Sequence, residues 1–205
     1  TGSSAVSLTV SFSLDMSTLP KSPFTDVVAG SWYFDAALYA SSHNLMLGTS
    51  PTEFSPNITM TRGMLVTVLY RMNGSPSVSG KTPFTDVRTD EWYSAAVLWA
   101  YQNGIVTGTS DTTFDPINNV TREQMATILF RYTKTAAPDK AKASADLSGF
   151  ADAGSVNDWA VDAMRWAVGQ KLIVGITLGQ SLYLQPRGNA TRAQAATVLT
   201  RYCAQ

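Results

Sequence analysis

Apolar residues recur along most of this chain at helical spacing, and the same stripe is written three times. Leu65, Val68, Leu69 and Met72 fall at i, i+3, i+4 and i+7, as do Met125, Ile128, Leu129 and Tyr132, and Ala195, Val198, Leu199 and Tyr202. A second helical stripe precedes each of these. In the middle copy it runs Trp92, Ala96, Trp99 and Ala100, with Gly104 as a stop. The equivalent first helices are predicted to begin near Trp32 and Trp159. Thr121 with Gln124, and Thr191 with Gln194, read as capping boxes at the starts of second helices; Met64 removes half of the box in the first copy. Strict alternation occurs once, over residues 5–14, where Val6, Leu8, Val10, Phe12 and Leu14 share a face. That segment is predicted to be the last strand of a preceding β domain, joined by a short linker, so that residues 1–22 stand apart from a helical assembly over 23–205. The sequence therefore predicts a mainly α fold of about six helices, two per repeat, with little sheet and a short N-terminal strand.

The repeats extend beyond the stripes. Phe24, Asp26, Trp32, Ala36, Ala40, Gly48, Phe54, Pro56, Thr61, Arg62, Leu69 and Arg71 reappear 60 residues later, from Phe84 and Asp86 through Trp92, Gly108, Phe114 and Pro116 to Thr121, Arg122 and Arg131. The third copy reads Phe150, Asp152, Trp159, Gly175, Leu184, Pro186, Thr191, Arg192 and Arg201, with one extra residue before the tryptophan and three before Leu184. Self-similarity at this period marks one supersecondary unit used repeatedly, each too small to bury its own apolar face. The repeats occupy about 23–75, 83–135 and 149–205, with a longer Ala- and Lys-rich link over 135–148.

This ordered set, in triplicate over nearly the whole chain, resembles the S-layer homology family. The resemblance implies a pseudo-threefold assembly and a non-catalytic module on a Gram-positive-type cell surface. Its implied partner is a secondary cell-wall polysaccharide, of pyruvylated N-acetylmannosamine type, bound in grooves between repeats.

Composition narrows the alternatives. Fifteen basic residues balance fifteen acidic ones, so neither a nucleic-acid footprint nor a polybasic membrane patch is indicated. No run approaches the roughly 20 apolar residues of a membrane span. The single cysteine, Cys203, excludes an intramolecular disulfide framework. His43, the one histidine, aligns with Asn103 and Gln170 and reads as an ordinary polar helix position, leaving no general base for a nucleophile. Glu53, Glu91 and Glu123 are the only glutamates and do not recur in equivalent places, which argues against the facing carboxylate pair of a glycosidase. The sequence predicts no cofactor and no metal site.

The candidate binding residues come from the repeats. Arg62, Arg122 and Arg192 follow directly after a helix N-cap, where a cation opposes the macrodipole at a cost of about 0.3–1 kcal/mol. Two explanations stand: an anionic ligand at the helix N-terminus, matched bidentately by the guanidinium, or an ion pair with Asp26, Asp86 or Asp152. The resemblance favours the ligand, because the Thr-Arg motif is where such domains contact glycan. Arg71, Arg131 and Arg201 sit in the last turn, where a cation is favourable, and need no ligand. Trp32, Trp92 and Trp159 could offer an aromatic face to a sugar, although core packing is the commoner role. The three aspartates read first as turn caps and second as acceptors for sugar hydroxyls. Gly48, Gly108 and Gly175 are predicted to supply positive-φ turns, or to let backbone amides approach a ligand. A rival reading is a protein-interaction scaffold, which should expose a large apolar patch.

Overall fold

The computed structural model describes residues 22–142 and 144–205. Six α-helices are present among them: α1 (Phe34–Ser42), α2 (Arg62–Met72), α3 (Ser94–Gln102), α4 (Arg122–Ala136), α5 (Val161–Gly169) and α6 (Arg192–Cys203). Their order is two per repeat, as the periodicity predicts. The first helix of each repeat starts two residues after its tryptophan, not at it. Trp32, Trp92 and Trp159 therefore stand outside the helical stripe.

The strand content of the described residues lies near the C-terminus, in the third repeat, and not at the N-terminus. The extra residues after Gly175 form a two-stranded antiparallel hairpin, β1 (Ile176–Leu178) and β2 (Ser181–Tyr183), turning at Gly179. The strand predicted over residues 5–14 lies outside the described residues. The link after α4 contains a 3₁₀ segment, Pro138–Lys142, whose Lys140 carbonyl accepts from Trp166 Nε1 at 2.9 Å and Gln170 Nε2 at 3.0 Å.

The helices that pack together come from different repeats: α2 against α3, α4 against α5, and α6 against α1. The two helices of one sequence repeat are thus not each other's main partners. One apolar cluster unites all three copies, with Phe54, Phe114 and Leu184 fully buried at equivalent places and Leu69, Leu129 and Leu199 beside them. At its centre lies a closed cycle of backbone hydrogen bonds. Met60 N–H donates to the Ala190 carbonyl (2.8 Å), Ala190 N–H to Val120 (2.9 Å), and Val120 N–H to Met60 (2.9 Å).

Candidate ligand-binding grooves

Each second helix begins with a threonine cap. Thr61, Thr121 and Thr191 adopt extended backbone angles and accept from the third helical amide, and both predicted capping boxes are complete through Gln124 and Gln194. The first two helical amides have partners as well. Arg62 and Gly63 N–H donate to the carbonyls of Asn118 (3.0 Å) and Pro116 (2.8 Å) in the next repeat. Arg122 and Glu123 do the same to Gly188 and Pro186, and Arg192 and Ala193 to Ile58 and Pro56. The helix N-termini are thereby occupied by protein carbonyls, which corrects the expectation of free donors there for an anion. Those carbonyls also supply the negative end that the macrodipole calls for.

The arginine side chains follow the same cyclic route. Arg62 is 6% exposed, lies over the Phe114 ring with its Cζ 4.6 Å from the centroid, and donates Nε–H to the Phe114 carbonyl at 2.8 Å. Arg122 donates Nε–H to the Leu184 carbonyl at 2.7 Å. Arg192 lies over Phe54 and donates to the carbonyls of Phe54 (2.8 Å) and Leu47 (2.7 Å). The ion-pair explanation drawn from sequence does not describe this. The guanidinium bridges one repeat to the next, and among the described residues the ion pairs within 4 Å are Arg88–Asp90 and Lys142–Asp139, both at the surface. Burial pushes all three guanidinium groups below their ordinary range, opposed by Asp115 and Asp86 near Arg62, by Asp152 near Arg122 and by Asp26 near Arg192. They remain cationic, because arginine starts so far above neutrality.

The aspartates are structural clamps. The two oxygens of Asp26 accept the amides of Phe54 (2.8 Å) and Ser55 (2.7 Å); Asp86 holds Phe114 and Asp115, and Asp152 holds Leu184 and Gln185. The second residue of each held pair has positive φ, 55° at Ser55, 57° at Asp115 and 50° at Gln185. Each clamp fixes the strained corner whose carbonyl receives an arginine.

Two further expectations are corrected by the geometry. Trp32, Trp92 and Trp159 are not core: they are 66%, 58% and 55% exposed, and the first two stand edge-on against Tyr33 and Tyr93. Of the three glycines only Gly175 has positive φ, 81°. Gly48 and Gly108 are required for another reason. A Cβ at Gly108 would sit 2.0 Å from the Ser110 carbonyl oxygen and 2.8 Å from the Phe84 ring, and at Gly48 the same contacts fall at 2.3 and 2.7 Å. The phenylalanine of each Phe-x-Asp packs where that side chain would be.

These parts meet in grooves built from all three repeats. In one, of about 490 Å3, Arg62 of the first repeat, Gly108 and its neighbours with Gln124 and Arg131 of the second, and Trp159 of the third share a single recess. In another, of about 420 Å3, Arg122, Gly175, Gln194, Arg201 and Trp32 take the same places. Both volumes suit a small ligand. The site aspartates do not line either groove. Gln124, Thr127, Ile128 and Arg131 do, at i, i+3, i+4 and i+7, and so do Gln194, Thr197, Val198 and Arg201. That polar edge of the apolar stripe was readable in the sequence, where the last-turn arginines passed as explained by the dipole alone. Glu123 is a further residue that sequence reasoning left aside: it is buried and accepts the backbone amide (3.0 Å) and side-chain amide (2.5 Å) of Asn157, just before Trp159.

Comparison with known proteins agrees with this architecture. The S-layer homology domain family matches residues 23–63, 83–126 and 149–196. An endoglucanase of Bacillus sp. (strain KSM-635) is 34% identical over 178 residues, 87% of this chain and 18% of that protein. The surface-layer 125 kDa protein of Lysinibacillus sphaericus is 31% identical over 75% of this chain and 12% of its own length. The S-layer protein sap of Bacillus anthracis is 24% identical over 87% of this chain and 21% of its own. The chain thus spans about a fifth or less of these relatives. With three matches in tandem, each ending at a Thr-Arg helix that docks on another repeat, the chain belongs to the S-layer homology family and is a cell-surface, cell-wall module.

Proposed function

We propose that this chain is a non-catalytic anchoring module, its repeats arranged about a pseudo-threefold axis, that binds an acidic cell-wall polysaccharide in the grooves between repeats. One observation carries the reading. Each described groove holds two arginines, neither within 4 Å of a carboxylate, beside an exposed tryptophan. A recessed cationic cluster favours an anion, and the indole face suits the apolar side of a sugar ring. The ligand that the family resemblance implies, N-acetylmannosamine with a pyruvate ketal, supplies both. Relatives named as glycan-degrading enzymes match over less than a fifth of their length, consistent with a shared wall-binding part. Calorimetry with purified cell-wall polysaccharide, intact and with its acidic groups removed, tests the reading. Tenfold to hundredfold weaker binding of the neutral polymer is expected from the loss of a charge-assisted contact of about 1.5–3 kcal/mol. Equal binding of both polymers would reject it, and binding of neither would favour a protein-interaction scaffold.

A further inference from the structure

The three helix pairs that join one repeat to another are built alike, and one of them breaks the pattern. Where α2 meets α3, a Cβ at Gly63 would come 3.4 Å from the side chain of Tyr93, so the tyrosine after Trp92 lies against this glycine. The same two positions hold Ala193 and Tyr33 in the α6–α1 pair, but Glu123 and Ala160 in the α4–α5 pair. Tyr33 and Tyr93 stand edge-on to Trp32 and Trp92, with ring centroids 5.3 and 5.1 Å apart. The residue after Trp159 is the fully buried Ala160, which supplies no ring.

The support for Trp159 comes from the opposite helix. Glu123 is 2% exposed, with no cation within 4 Å among the described residues, and its two oxygens accept the backbone and side-chain amides of Asn157. Asn157 opens the 3₁₀ turn Asp158–Ala160, which packs on α4 and carries Trp159. The Asn157 carbonyl closes that turn by accepting the Ala160 amide at 2.8 Å. An asparagine in this place commonly caps its own turn, yet this side chain makes no capping bond. Its oxygen accepts from Arg187 at 3.4 Å, which leaves its NH2 group for Glu123. The helix dipole favours an acid in the first turn of α4, but that alone does not call for burial. A buried carboxylate is tolerated when donors satisfy it, and two charge-assisted bonds to one residue make a directional restraint. Gln124, the next residue of α4, lines the same groove as Trp159.

We infer that Glu123 is the positioning residue for Trp159, holding its indole at the Arg62 groove in place of the tyrosine that backs Trp32 and Trp92. This rests on that groove being a polysaccharide site and adds the group that sets its aromatic wall.

The test is a double-variant cycle in the whole chain labelled with fluorotryptophan, the Trp159 fluorine NMR signal being assigned through Trp159→Phe. Glu123→Gln sets an amide against the Asn157 donors, and Asn157→Asp sets a second carboxylate against Glu123. Each alone should shift or broaden the Trp159 signal and leave those of Trp32 and Trp92 in place. Each should also weaken calorimetric binding of purified Lysinibacillus sphaericus cell-wall polysaccharide about threefold to tenfold, the scale of a lost aromatic contact. Combined, the two substitutions exchange donor and acceptor, so the new amide donates to the new carboxylate and the backbone N–H of the turn still finds an oxygen. The Trp159 signal should then return to its wild-type position and the affinity to within about twofold, a reversal that general loss of stability does not give. If Glu123→Gln fails to fold, Asn157→Asp and the double variant still decide. An unmoved Trp159 signal in the single variants overturns the inference, as does a moved signal with unchanged affinity; wild-type binding in the same titrations leaves the groove reading intact. Failure of the wild type to bind overturns both.

Discussion

Arg192, at the start of the last helix, reaches the carbonyl of Phe54, 138 residues earlier, at 2.8 Å. With Arg62 on Phe114 and Arg122 on Leu184 it completes a circuit of repeat-to-repeat contacts. Arg192→Ala should destabilise the chain by about 1–3 kcal/mol, the cost of orphaning buried carbonyls. Arg201→Ala, at the exposed end of the same helix, should stay within about 0.5 kcal/mol. Paired thermal melts of the two variants provide the check; equal melting temperatures would show that the circuit contributes nothing.

The aspartate clamps make a second prediction. Asp86→Ala should cost about 1.5–3 kcal/mol, because a carboxylate accepting two amides at a left-handed corner is removed. Asp86→Asn keeps one acceptor and should cost clearly less. Denaturant titrations that ranked the two the other way would contradict the clamp.

Gly108→Ala should prevent native packing, since its Cβ would lie 2.0 and 2.4 Å from two backbone oxygens. Gly149→Ala meets nothing within 4 Å and should be nearly neutral. Soluble yield and circular dichroism of both variants distinguish a steric requirement from a merely flexible turn.

Trp159→Ala should leave the melting temperature almost unchanged and weaken polysaccharide binding. Trp166→Ala, buried at 1% exposure, should lose about 3–5 kcal/mol of stability. If Trp159→Ala instead melted many degrees lower with unaltered affinity per folded molecule, its place in the groove would be structural.

Much of the fold was legible because helix periodicity and capping are local. The positions of six helices, both capping boxes and the burial of Leu69, Leu129 and Leu199 follow from spacing alone. What spacing does not carry is the partner across space. The pairing of α1 with α6, and the carbonyls that meet Arg62, Arg122 and Arg192, depend on how the repeats close on one another. For the same reason the tryptophans were misplaced: Trp92 lies in phase with Ala96 and Trp99, yet the helix begins at Ser94, so the phase does not extend back to it. The grooves were only half readable. Their arginines and glycines are prominent as repeats, whereas Gln124 reads only as a capping-box partner and Thr127 carries no local signal, because nothing in the spacing brings Trp159 to the same groove.

The cycle of hydrogen bonds through Met60, Val120 and Ala190 has a consequence for how the protein is made. A ribosome delivers the first repeat long before the third, and contacts of such high sequence separation form slowly. Until the last helix has emerged, the carbonyls of Phe54, Pro56 and Ile58 lack their donors and α1 lacks α6. A chain stopped after its second repeat should accordingly remain protease-sensitive throughout, and not yield two-thirds of a folded protein.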